Sequence, residues 1–163
     1  MKYDKIALGV KIAMVVLLFA YIFMLTSSSA DNKKPLEKVA DQVISTKIKE
    51  DTGIREEGAK ELKRYYSLNA ADIDGFVLYG PAGTMDVGEI LIIKAKDESQ
   101  MEDIRTSVQN RIDEQLKNFN GYGTNQTELL NHAVIRTNGR FLFFAVGDQA
   151  ASLGQSFSKS VRK

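Results

Sequence analysis

No cysteine occurs in the 163 residues, which excludes a disulfide framework, thiolate metal sites, thiol nucleophiles and a lipid-modified N-terminal cysteine. Stability must then come from an apolar core. About 130 residues suffice for that, because a domain of this size buries roughly two-thirds of its chain surface on folding. A marked excess of either sign of charge is also missing. Lys and Arg number 22 against 21 Asp and Glu, and the balance stays near zero once the first thirty residues are set aside, so the chain has no electrostatic footprint for nucleic acid. Internal repeats and low-complexity tracts are absent as well.

What is present first is a hydrophobic run. Residues 6–25 read IALGVKIAMVVLLFAYIFML, interrupted by one charge, Lys11. At about 1.5 Å per residue the run covers ~30 Å as a helix, the thickness of a bilayer core. Lys11 can snorkel towards the interface that holds Lys2 and Lys5, placing the N-terminus in the cytoplasm and Asp31 onward outside. Lys33 and Lys34 weaken that asymmetry, but a long soluble domain crosses largely regardless of its charge. The alternative takes residues 12–25 as the apolar part of a secretory signal, with cleavage after Ala30. Both readings export the rest. A buried helix of a soluble protein fits poorly, since the run has no polar face. The expected organisation is an anchor or signal over 1–30, a tether over 31–34 and an extracytoplasmic domain over 35–163.

Within that domain, Pro35 opens an amphipathic helix expected over 35–50, with Leu36, Val39, Ala40, Val43, Ile44 and Ile48 at helical spacing. A second helix is expected over 56–66. Asn69 is placed to cap a short turn leading into a strand over 76–79. Residues 89–96 (EILIIKAK) read as a strand, and Asp97 as the cap of a long helix with the stripe Met101, Ile104, Val108, Ile112 and Leu116, ending near Asn118. The segment 119–127 (FNGYGTNQT) reads as a polar loop. Two strand-like runs then flank Asn138-Gly139, a dipeptide suited to a type I′ turn. Asp148 is placed to cap a final helix carrying Ala151, Leu153, Phe157 and Val161. The order α-α-β-β-α-β-β-α predicts an α+β domain with a four-stranded, mainly antiparallel sheet and helices against one face.

Candidate chemistry is sparse. His132, the one histidine, has no nucleophile elbow or carboxylate cluster in its local sequence, so a structural or surface role is expected. Asp72 and Asp74 before Gly75 resemble the start of a calcium loop but lack its third ligand and closing Glu, which leaves a solvated turn. Gly80, Gly83 and Gly88 lack the Lys-Ser/Thr of a phosphate loop and lie between strands, where no helix N-terminus follows; the same placement argues against an RNA clamp. Tyr65, Tyr66 and Tyr79 are assigned to core and rim packing. Phe119, Tyr122 and Asn125 form the candidate contact loop, since aromatic side chains in a Gly- and Asn-rich loop lack periodic partners. Asn125-Gln126-Thr127 also fits a glycosylation sequon. No catalytic, cofactor-binding or metal-ligating residue is assigned.

The run YYSLNAADIDGFVLYGPAGTMDVGEILIIKAKD, the helix beginning ESQMEDI and the segment HAVIRTNGRFLFFAV together resemble an uncharacterised bacterial family, the domain of unknown function 4358. The resemblance covers residues 60–161. Ser67 stands where the family usually has Gly, and Phe141 where it has Tyr. The resemblance implies an exported or membrane-attached domain of Gram-positive type. Many members are lipoproteins, and without their cysteine this chain would be anchored by its helix. It carries no assigned activity and no functional residues. The expectation is therefore a single-pass cell-membrane protein, not an enzyme and without a cofactor, whose outer domain is an accessory or interaction module for an envelope protein. The alternative is a module binding a small ligand or cell-wall fragment through the 119–127 and 80–88 loops.

Overall fold

The computed structural model describes residues 14–18, 21, 34–44 and 54–162. The chain divides into two compact units, Met1–Ala30 and Asp31–Lys163. In the first, residues 14–18 and 21 are helical, with exposed side chains. Among the described residues no helix is long and apolar enough to cross a membrane, and most of the expected span 6–25 lies outside them.

The second unit contains helices α1 (Leu36–Val43), α2 (Ala59–Tyr66), α3 (Met101–Phe119), α4 (Thr124–Asn131) and α5 (Ala150–Arg162). Its strands are β1 (Arg55–Glu57), β2 (Gly75–Gly80), β3 (Glu89–Lys94), β4 (Val134–Asn138) and β5 (Phe141–Val146), with short 3-10 turns at Ala70–Asp72 and Glu98–Gln100. The strands form one antiparallel sheet in the order β1-β2-β3-β5-β4. The class is α+β, as expected, but the sheet has five strands instead of four. The extra strand, β1, is the charged tripeptide Arg-Glu-Glu, paired Arg55↔Gly80 to Glu57↔Leu78. It has no apolar signal because it is a short edge strand, and charge on an edge discourages further pairing.

Helices cover both faces of the sheet, which corrects the one-faced arrangement. The reason is in the central strands. EILIIK and FLFFAV are apolar at consecutive positions, and all six residues of β5 are buried; a sheet with one solvated face would alternate. The row Leu78, Leu91, Phe144 and Ile135 faces one core with Leu62 and Tyr66 of α2, Ile104, Val108 and Ile112 of α3 and Leu130 of α4. The row Val77, Ile92 and Phe143 faces the other, beneath α1 and α5. There Phe143 stacks on Phe157 with ring centroids 5.3 Å apart. Each such side chain contributes about 1.5–3 kcal/mol when fully buried, with about 0.5–1.5 more for the aromatic pair.

Local signals set most boundaries. Asp97 accepts from the Ser99 N–H at 2.8 Å, and Gln100 accepts from the Asp97 N–H, a capping box that starts α3 through its 3-10 turn. The carboxyl of Asp97 is held below its usual range by its hydrogen bonds to Ser99. Asn69 precedes the 3-10 turn as expected, but its side chain makes no capping bond. The first helix ends at Val43, and residues 45–50 of the expected longer helix lie outside the described residues. The residue adjoining the start of α5 is Gln149 and not Asp148. In the β4–β5 hairpin Asn138 pairs with Phe141, so the loop residues are Gly139 and Arg140. Gly139 has φ 53° and Arg140 does not have positive φ, the sign pattern of a type II′ turn with glycine first. The expected type I′ turn is corrected accordingly, one position along.

The segment 119–127 is also not a loop throughout. Phe119 ends α3, and α4 begins at Thr124. Gly123 joins the two because a Cβ there would come within 2.6 Å of the Phe119 ring, so only glycine fits without a shift.

Candidate functional site

Three places in the second unit concentrate polar or exposed groups, and the first is buried. Glu89 stands at the head of β3 with Leu91 and Ile93, two and four residues on, facing the α2–α3 core. Strand alternation therefore turns its carboxylate inward. Arg111 lies three residues beyond Val108 on α3, which turns its side chain to the same interior. The carboxylate accepts from both sides: the Tyr66 hydroxyl donates to Oε1, and Arg111 donates to Oε2 through Nη2 at 3.0 Å and Nε at 3.3 Å. Tyr66 and Glu89 are each 2% exposed and Arg111 9%.

Burial raises the Glu89 carboxyl above its ordinary value, against the opposing pull of Arg111 and the hydrogen bond from Tyr66. The Tyr66 phenol is pushed well above its ordinary value, by burial first and by the Glu89 charge second. The other flat side of the arrangement is closed by Tyr65, whose ring lies 4.3 Å from the Arg111 guanidinium and 4.7 Å from that of Arg64. Beside it, Gly80 gives room to Glu57 and Tyr65: a Cβ would meet them at 3.1 and 3.3 Å. Tyr66 itself packs edge-on to Phe144. With both carboxylate oxygens and the guanidinium engaged inside the core, the arrangement clasps β3, α2 and α3 together.

The second place is a corner formed by α4 and the β2–β3 connection. Gln126 donates through Nε2 to the Met85 carbonyl at 2.9 Å. Met85 and Tyr122 are 55% and 64% exposed, the large exposed hydrophobic side chains among the described residues of this unit. Of the candidate contact residues, Phe119 is only 4% exposed and belongs to the core, continuing the α3 stripe beyond Leu116. It contacts Tyr122 with ring centroids 5.9 Å apart. Tyr122 and Asn125 are the exposed members, and Asn125 sits on α4.

The third place is a cleft of about 230 Å³ at the end of the sheet where β3 begins and β5 ends. Ile90, Val146 and Leu153 contribute apolar walls, and Asp86 and Asp148 stand among its polar lining. Asp86 already accepts from the Gly88 N–H at 2.9 Å.

The remaining sequence candidates have structural partners. His132 lies against α4, with Nδ1 2.9 Å from the Glu128 carbonyl. Asp74 pairs with Lys94 at 3.0 Å and more loosely with Arg140 at 3.9 Å. Tyr79 is buried in the core beneath α1 and α5. No group of three or more His, Cys, Asp or Glu residues suited to a metal ion occurs among the described residues. Glu89 and Arg111 are not among the candidates the sequence singles out, although each carries a signal there: a charge on the inward side of a hydrophobic strand, and another on the inward side of an apolar helix stripe.

The model of a domain of unknown function, DUF4358, matches residues 47–147. The match starts ahead of residue 60 and stops before α5, so Tyr66, Glu89, Arg111, Met85 and Tyr122 all fall inside it. No curated protein and no solved structure matches the chain.

Proposed function

We propose, for a chain that belongs to the DUF4358 domain family, a non-catalytic role as an interaction module displayed at the outer face of a cell membrane and contacting another envelope protein through the Met85–Tyr122 corner. The observation carrying this reading is the Gln126 to Met85 hydrogen bond, which ties the first turn of α4, just after the connection bearing the exposed Tyr122, to the β2–β3 connection bearing the exposed Met85. Aromatic and methionine side chains are enriched at protein contacts, where they supply apolar area. Retention at the membrane rests on the length and apolarity of residues 6–25. The non-catalytic reading rests on Glu89, whose carboxylate is consumed by Tyr66 and Arg111 within the core.

The test is a photoreactive residue at position 122 of the full chain in its native membranes. One discrete adduct with an envelope protein is expected, abolished by Met85→Asp, while the same residue at the exposed position 114 of α3 gives none. Equal labelling at both positions would remove the corner from consideration.

The cleft beside Ile90, Val146 and Leu153 supports a second reading, the binding of a small ligand or cell-wall fragment. That reading expects a soluble wall digest to shift the methyl resonances of those three residues and leave Tyr122 unmoved.

A further inference from the structure

The chain has seven arginines, and they divide by their surroundings. Arg55 pairs with Glu57, Arg111 with Glu89 and Arg140 with Asp74, while Arg64 donates to the Tyr65 hydroxyl at 2.8 Å. The other three, Arg105, Arg136 and Arg162, have no hydrogen bond or ion pair among the described residues. All three are exposed, and all three line one hollow of about 270 Å³ beside the edge strand β4.

The fold assembles this hollow from three elements. Arg136 is opposite Phe143 in the register, on the sheet face covered by α5, which itself carries Arg162. Thr137 is opposite Leu142, on the face covered by α3, which carries Arg105. The hollow therefore wraps around the sheet edge, at the hairpin end and away from the Met85–Tyr122 corner. Among the described residues no acidic side chain lines it. Asn138 lines it too, and its Oδ1 is buried without a partner among the described residues.

Gathering unpaired cations around one hollow costs repulsion unless an anion is received there. Guanidinium groups are planar forks suited to phosphate and carboxylate alike. A carboxylate presents two coplanar oxygens and is satisfied by one fork. A phosphate presents oxygens in tetrahedral directions and can accept from groups arriving from α3, β4 and α5 together. The volume is near the lower end for small-ligand sites, which start at about 300 Å³, and fits a headgroup better than an extended molecule.

We propose that the hollow around the β4 edge binds a phosphate group, free or carried on a phospholipid headgroup, through Arg105, Arg136 and Arg162. The full chain in neutral detergent at low salt is titrated with inorganic pyrophosphate while arginine Nε–H resonances are followed by NMR. Saturable shifts are expected at these three arginines, with Kd on the order of 1 mM, and with Arg55 and Arg64 unmoved. Arg136→Gln is expected to weaken binding about tenfold, the usual size of one charge-assisted hydrogen bond. A parallel titration with phosphatidylglycerol doped into the micelles separates the sources: a response to lipid alone assigns a headgroup, to pyrophosphate alone a soluble ligand, and to both the phosphate itself. Arg162→Gln serves as a second variant, and amide spectra establish that each variant is folded. Silence to both probes, equal shifts at Arg55 and Arg64, or binding unchanged in both variants would overturn the proposal.

Discussion

The two faces of the sheet are held in different ways. Beneath α1 and α5 the core is apolar, and its buried polar side chain Ser160 is satisfied within its own helix by the Phe157 carbonyl. Beneath α2, α3 and α4 the apolar core includes a carboxylate, a guanidinium and a phenol bonded to one another. Apolar contacts are non-directional and tolerate small slides. A hydrogen-bonded ion pair is satisfied in one geometry only, so it fixes α3 against β3 at the residue level. The difference implies that the first face is held by volume and the second by volume plus orientation.

Breaking the orientation should have the largest effect. Arg111→Met leaves the Glu89 charge buried without its partner and should cost about 3–5 kcal/mol of stability in chemical denaturation. Replacing both members, Glu89→Leu with Arg111→Met, should restore most of that loss, because a well-packed apolar pair often equals a buried ion pair. If the double variant is no better than the single, the clasp contributes more than relief of an unpaired charge.

The volume-held face should yield less to a comparable change. Phe157→Leu keeps an apolar side chain against Phe143 while losing the stacked ring, and should cost about 1–2 kcal/mol, the common range for core substitutions. A loss as large as that of Arg111→Met would erase the distinction between the faces.

The smallest expected effect is a slope with pH. Burial raises the folded-state pKa of Glu89 above its usual 4.5, so between the two values the folded chain binds more protons than the unfolded one. Stability contributed by this group is then greatest below the unfolded value and declines as pH rises through the folded value. Measured against Glu89→Gln, which cannot titrate, the unaltered chain should lose ground across that window. A gain with rising pH would mean that Arg111 outweighs burial.

Much of this architecture is legible in the residues. EILIIK, FLFFAV, the Asp97 cap and the α3 stripe announce themselves by period and composition, since each is long enough for its pattern to repeat. The two-sided cover was equally available, because unbroken apolar strands need protection on both faces. Two elements were not. β1 is three charged residues whose conformation is decided by pairing with β2, and α4 (TNQTELLN) has Leu130 as its one buried residue, so neither repeats a pattern. The candidate site was harder still. Phe119 continues the α3 stripe into what reads as loop, whereas the Glu89–Arg111 pair joins residues from a strand and a helix, a proximity that only the tertiary fold creates. The β4-edge hollow depends on three elements meeting, and no local spacing encodes it.

The matched stretch 47–147 omits both helices that cover one sheet face, α1 and α5. A fragment excised at those limits would carry Ile90, Ile92, Phe141, Phe143 and Ala145 with nothing of its own laid over them. Such a fragment should self-associate during purification, through a broad apolar sheet face that behaves as an adhesive. For this chain the unit worth producing, labelling or grafting runs from the start of α1 to the end of α5, because the boundary of a sequence pattern and the boundary of a closed core are different things.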